Sequence, residues 1–160
     1  MAHHLAQINI GRILGPIDGP VMAEFVANLD RINAMADTAP GFVWRLQSEQ
    51  GNATSIKVYE DDMLLINMSL WESIEALHKY VYYTAHVEYV RRRREWFEKL
   101  TIPYTTLWWV PAGHIPTPQE AKERLEWLHE NGATPYAFTF KERFTVEEML
   151  RYEMLEPLGG

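Results

Sequence analysis

The sequence predicts one α+β domain built on a four-stranded antiparallel sheet. Two observations predict it. Strand-like alternation and helical periodicity follow one another as strand, helix, strand, then strand, helix, strand, the split βαβ order of ferredoxin-like domains. Three of the four main strands also carry one apolar face and one face of amides, hydroxyls, Arg and Trp, as expected of a sheet whose two sides meet different surroundings.

Leu5–Ile10 alternates and is β-prone, so it reads as the first strand. Gly15-Pro16 and Asp18-Gly19-Pro20 are loop chemistry. Pro20 opens a helix in which Met22, Phe25, Val26, Leu29, Ile32 and Met35 recur at helical spacing to about Asp37. Pro40-Gly41 ends it, and Phe42–Gln47 is the second strand. A turn at Gly51-Asn52, a short strand Ser55–Tyr59 and a turn at Glu60-Asp61-Asp62 lead to the third main strand, Leu64–Trp71. Helical pattern covers Ile74 to about Tyr83 and again Ala85–Leu100, until Pro103 breaks it before the fourth main strand, Thr105–Val110.

From about residue 117 a strand–helix extension is expected within the same 1–160 domain. Thr117, with Pro118 and Glu120 behind it, is a good N-cap for an amphipathic helix over Ala121–Glu130, stopped by Asn131-Gly132. Ala137–Phe144 reads as a last strand and Val146–Leu155 as a terminal helix.

A domain of 160 residues buries roughly 70% of the surface its unfolded chain exposes, so it needs no staple. There is no cysteine, which excludes disulfides, thiolate metal sites and thiol nucleophiles and fits a reducing cytoplasm. The net charge of −7 argues against nucleic acid or an anionic membrane as partner. No targeting segment is evident, and no run of about 18 apolar residues could span a bilayer. His3-His4 at the terminus is weak evidence for a metal, and no His pair has metal-ligand spacing. The six tryptophans belong to a core, an interface or an apolar pocket.

Alternation places Gln7 and Asn9 opposite Ala6, Ile8 and Ile10, Arg45 and Gln47 opposite Phe42, Trp44 and Leu46, and Asn67, Ser69 and Trp71 opposite Ile66, Met68 and Leu70. The fourth strand does not sort cleanly. A merely solvated face would carry Lys and Glu; amides need a wet pocket or a polar network, and both readings stay open. The apolar faces suit the helices, which leaves the polar faces on the side away from the first helix, there to be covered by a second copy of the chain.

His78, Tyr82, His86 and Tyr89 share a stripe if their helix is unbroken. The two histidines are then about 12 Å apart, too far to share one metal ion. Either is a candidate general base or haem ligand, set against an ordinary packed histidine. Arg91–Arg94 lies among Glu88, Glu95 and Glu98 and reads as a solvated, ion-paired helix, from which Arg93 and Arg94 can still reach an acidic group on a ligand.

The run Asn67-Met68-Ser69-Leu70-Trp71-Glu72-Ser73, followed by Glu75, Leu77 and His86, resembles the strand-to-helix motif of the antibiotic-biosynthesis-monooxygenase superfamily, the dimeric α/β barrels. Tyr82–Phe97, Leu107–Pro116 and Ala137–Phe140 are similar to an uncharacterised domain-of-unknown-function branch of it, over about residues 5–145. The resemblance implies a homodimer and a small-molecule enzyme acting on an aromatic or polycyclic substrate, without a cofactor or with haem. On that reading His86 or His78 is the base, Asn67 and Trp71 complete the catalytic set, and Asn9, Gln7, Arg45, Ser69, Tyr82 and Trp109 bind substrate. The alternatives are a haem protein using a helix histidine and a non-catalytic ligand-binding dimer.

Overall fold

The computed structural model describes residues 2–47, 63–84, 86–99 and 104–155, with the backbone alone of His86. The expected strand Ser55–Tyr59, the turns beside it and the break at Pro103 lie outside these residues. Four strands, β1 (His3–Arg12), β2 (Phe42–Arg45), β3 (Leu64–Trp71) and β4 (Thr105–Pro111), form an antiparallel sheet in the order β2-β3-β1-β4. With helix α1 (Ala23–Asp37) between β1 and β2, and α2 (Ile74–Tyr83) after β3, this is the ferredoxin-like split βαβ arrangement. In register, Gln7 pairs with Ser69 and Asn9 with Asn67, while Gln7 meets Leu107 on the other side.

The two faces of the sheet go the opposite way from the sequence expectation. The apolar side (Ala6, Ile8, Met68, Leu70, Trp108, Val110) packs on α4 (Pro118–Asn131) through Ala121, Leu125 and Leu128. The polar side faces α1 and α2. The extension therefore covers the face that the strand–helix–strand units leave over, with Ala121, Leu125 and Leu128 as its apolar stripe. Thr117 caps α4 by accepting from the Glu120 N–H at 3.1 Å, and Gly132 ends it at a φ of 74°.

The expected last strand over Ala137–Phe144 is reduced to isolated bridges, Leu107 with Phe138 and Thr134 with Ala137. The Phe138 N–H and C=O both pair with Leu107, which closes the outer edge of β4 for one residue, and the chain then leaves for α5 (Val146–Leu155). His3 and His4, expected at a frayed end, lie inside β1, opposite Pro111 and Val110. A bulge between Phe42 and Trp44 turns Phe42 to the same side as Arg45, not the opposite one.

The helix expected over Ala85–Leu100 is also divided. Thr84 is extended (φ −124°, ψ −179°), so α2 stops there; α3 (His86–Arg91) starts afresh and passes into a 3-10 turn, Arg93–Glu95. That break turns Tyr89, Val90 and Arg93 toward the sheet. Gly41, at φ 82°, fixes α2 against the turn before β2: a Cβ there would stand 2.5 Å from the Ala76 Cβ.

Candidate functional site: a cavity between the sheet and its first two helices

Helix α1 presents Phe25, Leu29 and Ile32 to the sheet, yet all three are only half-buried, and Ala36 alone in this helix is buried. The helix stands off the strands and roofs a cavity of about 540 Å³. That is within the usual size for a small-molecule site. α2 walls one end with Leu77, Tyr80 and Val81, and the 3-10 turn with the residues after it walls the other with Arg93, Trp96 and Phe97.

Across the sheet surface runs a chain of hydrogen bonds. Gln7, 5% exposed, spends both hydrogens of its amide: Nε2 donates to Asn67 Oδ1 at 2.8 Å and to Ser69 Oγ at 2.9 Å. The Trp71 indole N–H also donates to Ser69 Oγ, at 2.8 Å. Ser69 thus accepts twice and keeps its own hydrogen to give. Asn67, with its carbonyl taken by Gln7, is left with its NH₂, and this mid-strand residue is exposed because it looks into the cavity. The sheet supplies a fixed hydrogen-bond donor surface inside aromatic walls.

Trp71 is 1% exposed, held edge-on by Phe42 at 5.4 Å and against Tyr80 at 5.2 Å. Its N–H is committed to Ser69, so it serves as wall and support rather than as a donor to a ligand. The Tyr80 hydroxyl donates to the Ile32 carbonyl at 3.0 Å and ties α2 to α1. Burial first, and the negative charge of Asp37 second, raise its pKa well above the ordinary phenol value.

Among the residues expected from sequence, Gln7, Asn9, Arg45, Asn67, Ser69, Trp71 and Tyr82 all line this cavity. Two do not. His78 is not among the lining residues and packs behind two of them, Tyr82 (4.7 Å between ring centroids) and Phe140 (5.5 Å). Trp109 donates its indole N–H to the Phe144 carbonyl at 2.8 Å and borders a separate hollow with Ile74 and Arg143. The side chain of His86 lies outside the described residues.

Arg45 is held by Asp37 at 2.7 Å. Arg92 is clamped between Glu24 (2.6 Å) and Glu95 (2.7 Å), and Arg91 meets Glu88 at 3.4 Å, so the arginine run does not form one basic face. Arg93 turns inward, donates to the Ile10 carbonyl at 3.1 Å and lies over the rings of Tyr104 (4.5 Å) and Phe97 (5.0 Å). Sequence reading took Arg91–Arg94 for a solvated, ion-paired helix from which Arg93 can still reach a ligand; Trp96-Phe97 directly after the charged run was the signal that this stretch meets the core.

Among the described residues no cluster of His, Cys, Asp or Glu could hold a metal ion. Haem would need an axial ligand in the cavity; no described cavity residue is a histidine, which leaves His86, whose side chain lies outside the described residues, as the one candidate ligand named from sequence. No helix among the described residues is long and apolar enough to cross a membrane.

No curated protein matches the sequence. Similar solved structures include SnoaB, a cofactor-independent oxygenase from Streptomyces nogalater, at 17% identity, with 73% of this chain and 99% of that one covered and a TM-score of 0.44. PA3566 from Pseudomonas aeruginosa is 14% identical, with coverage of 71% and 98% and a TM-score of 0.46. Similarity at this level says nothing about chemistry. The sequence profile of DUF3291 matches residues 4–154, almost the whole chain. The chain belongs to the DUF3291 family, a domain of unknown function.

Proposed function

We propose that the chain is a small-molecule enzyme of monooxygenase-like type, acting on a hydroxylated aromatic or polycyclic substrate held between the sheet and α1. The observation that carries this reading is the Gln7–Asn67–Ser69–Trp71 hydrogen-bond chain, which fixes the Asn67 amide and the Ser69 hydroxyl as donors inside a cavity walled largely by aromatic and aliphatic side chains. Such donors favour the ionised form of a bound phenol and stabilise charge that develops on its oxygen. The phenolate is the electron source and molecular oxygen the oxidant. One oxygen atom enters the ring at a C–H carbon, which becomes a carbonyl; the other leaves as water with the two displaced hydrogens.

The proton of the phenol needs an acceptor. His86 opens α3, three and four residues before Tyr89 and Val90 of the cavity wall, and we assign it that role. Oxygen uptake by the purified chain, on addition of hydroxylated naphthalenes and anthracenes, tests the reading. Uptake matched by quinone formation supports it. Binding of these compounds without uptake contradicts it and leaves a ligand-binding protein.

A further inference from the structure

From the charge and spacing of the groups that line the cavity, we infer that its ligand is an anion, an aromatic acid whose carboxylate is held by Arg93 at one end while its hydroxyl meets Asn67 and Ser69 at the other. The inference rests on the reading of the cavity as a substrate site and adds the class of substrate.

The cavity is a cationic place in an acidic protein. The chain has a net charge of −7, yet the cavity wall includes Arg45, Arg93 and Lys141 and, among the described residues, no Asp or Glu. Arg45 is matched by Asp37, just outside the wall. Arg93 differs from it: half-buried, it has a backbone carbonyl and two aromatic rings as neighbours, and no carboxylate within ion-pair distance among the described residues. Burial lowers its pKa, the mark of a desolvated charge, and a ligand carboxylate would offset that cost with a charge-assisted, two-pronged contact.

Spacing sets the size of the ligand. Arg93 holds to Ile10, and Ser69, the far donor, pairs with Gln7, three residues away on the same strand or about 10 Å, with Asn67 opposite Asn9 in between. A single ring is too short to join the two ends. Two or three fused rings with the acid and the hydroxyl at opposite ends fit, and Phe25 and Leu29 lie above them.

Calorimetric titration with 6-hydroxy-2-naphthoic acid and with its neutral carboxamide separates the possibilities. The wild-type chain is expected to bind the acid about ten- to a hundredfold more tightly than the amide. Arg93→Gln is expected to erase that preference while leaving amide affinity within about threefold, and Arg93→Lys to keep part of it. Equal affinities for acid and amide, a preference that survives in Arg93→Gln, a loss of both affinities together, or binding of neither probe overturns the inference. Tight, Arg93-dependent binding of the acid without oxygen uptake would leave it standing and count against the oxygenase reading alone.

Discussion

Ser69 Oγ receives the indole N–H of Trp71 at 2.8 Å, two residues further along the same strand. Both side chains are buried, so the bond between them is shielded from bulk water. The contact sets the plane of the Trp71 ring and aims the remaining hydrogen of Ser69. The same hydroxyl accepts from Gln7, so one oxygen couples two strands and the cavity wall.

Gln7 and Asn67 should respond to mutation to different degrees. Gln7→Leu strands the Asn67 carbonyl and one acceptor site of Ser69, and should cost about 1–3 kcal/mol of stability. Asn67→Ala takes away only one of the two acceptors of the buried Gln7 amide and should cost less, about 1 kcal/mol. Urea unfolding of the two variants checks the contrast; equal losses would show that Asn67 is structural.

Tyr80 should resist ionisation. Its pKa rises on folding, so the folded state retains the proton where the unfolded state begins to lose it. The stabilisation is complete below about pH 10, the unfolded value, and is lost as pH climbs toward the folded one. Absorbance titration at alkaline pH should show at least one of the eight tyrosines ionising only with unfolding. Tyr80→Phe should remove that late step and, through the lost bond to Ile32, cost about 0.5–1.5 kcal/mol.

Gly11→Ala should strain the far end of the cavity. Its Cβ would stand 2.5 Å from the Phe97 ring, which has the Arg93 guanidinium on it. Overpacking of this kind costs about 1–3 kcal/mol, and the displaced ring should also weaken binding of acids more than of amides. Thermal unfolding and the paired titrations check both parts.

Much of this was legible in the sequence. The main strands, the order of elements along the chain and the terminal helix followed from periodicity, and the polar alternation of Gln7, Asn9, Asn67 and Ser69 marked the cavity floor. The orientation of the sheet did not follow, because strand parity sorts residues into two faces without saying which helix each face meets. Here α4, a late element, takes the apolar face, and α1 stands off the polar one. Trp109 and His78 were misplaced for a related reason: one satisfies its N–H on the loop before α5, and the other packs on Phe140 of the same late segment.

We propose that the chain pairs with a second copy across the α4 side of the sheet, where Val43, Trp44, Leu46 and Trp127 surround the buried cluster and are only partly covered. Light scattering at micromolar concentration should give twice the mass of the chain, and Trp44→Glu should return it to one. A single-chain mass for the wild type would remove this interface.

The most direct measurement of the central claim is oxygen uptake by the wild-type chain and by Asn67→Ala with the same hydroxynaphthoic acid, alongside its binding constant for each protein. If the Asn67 amide stabilises charge developing on the substrate oxygen, the rate should fall about a hundredfold or more. The binding constant should meanwhile move by about threefold at most, since Arg93 and the aromatic walls remain. Wild-type uptake that persists unchanged in Asn67→Ala, or no uptake by either protein despite tight binding, would contradict the account.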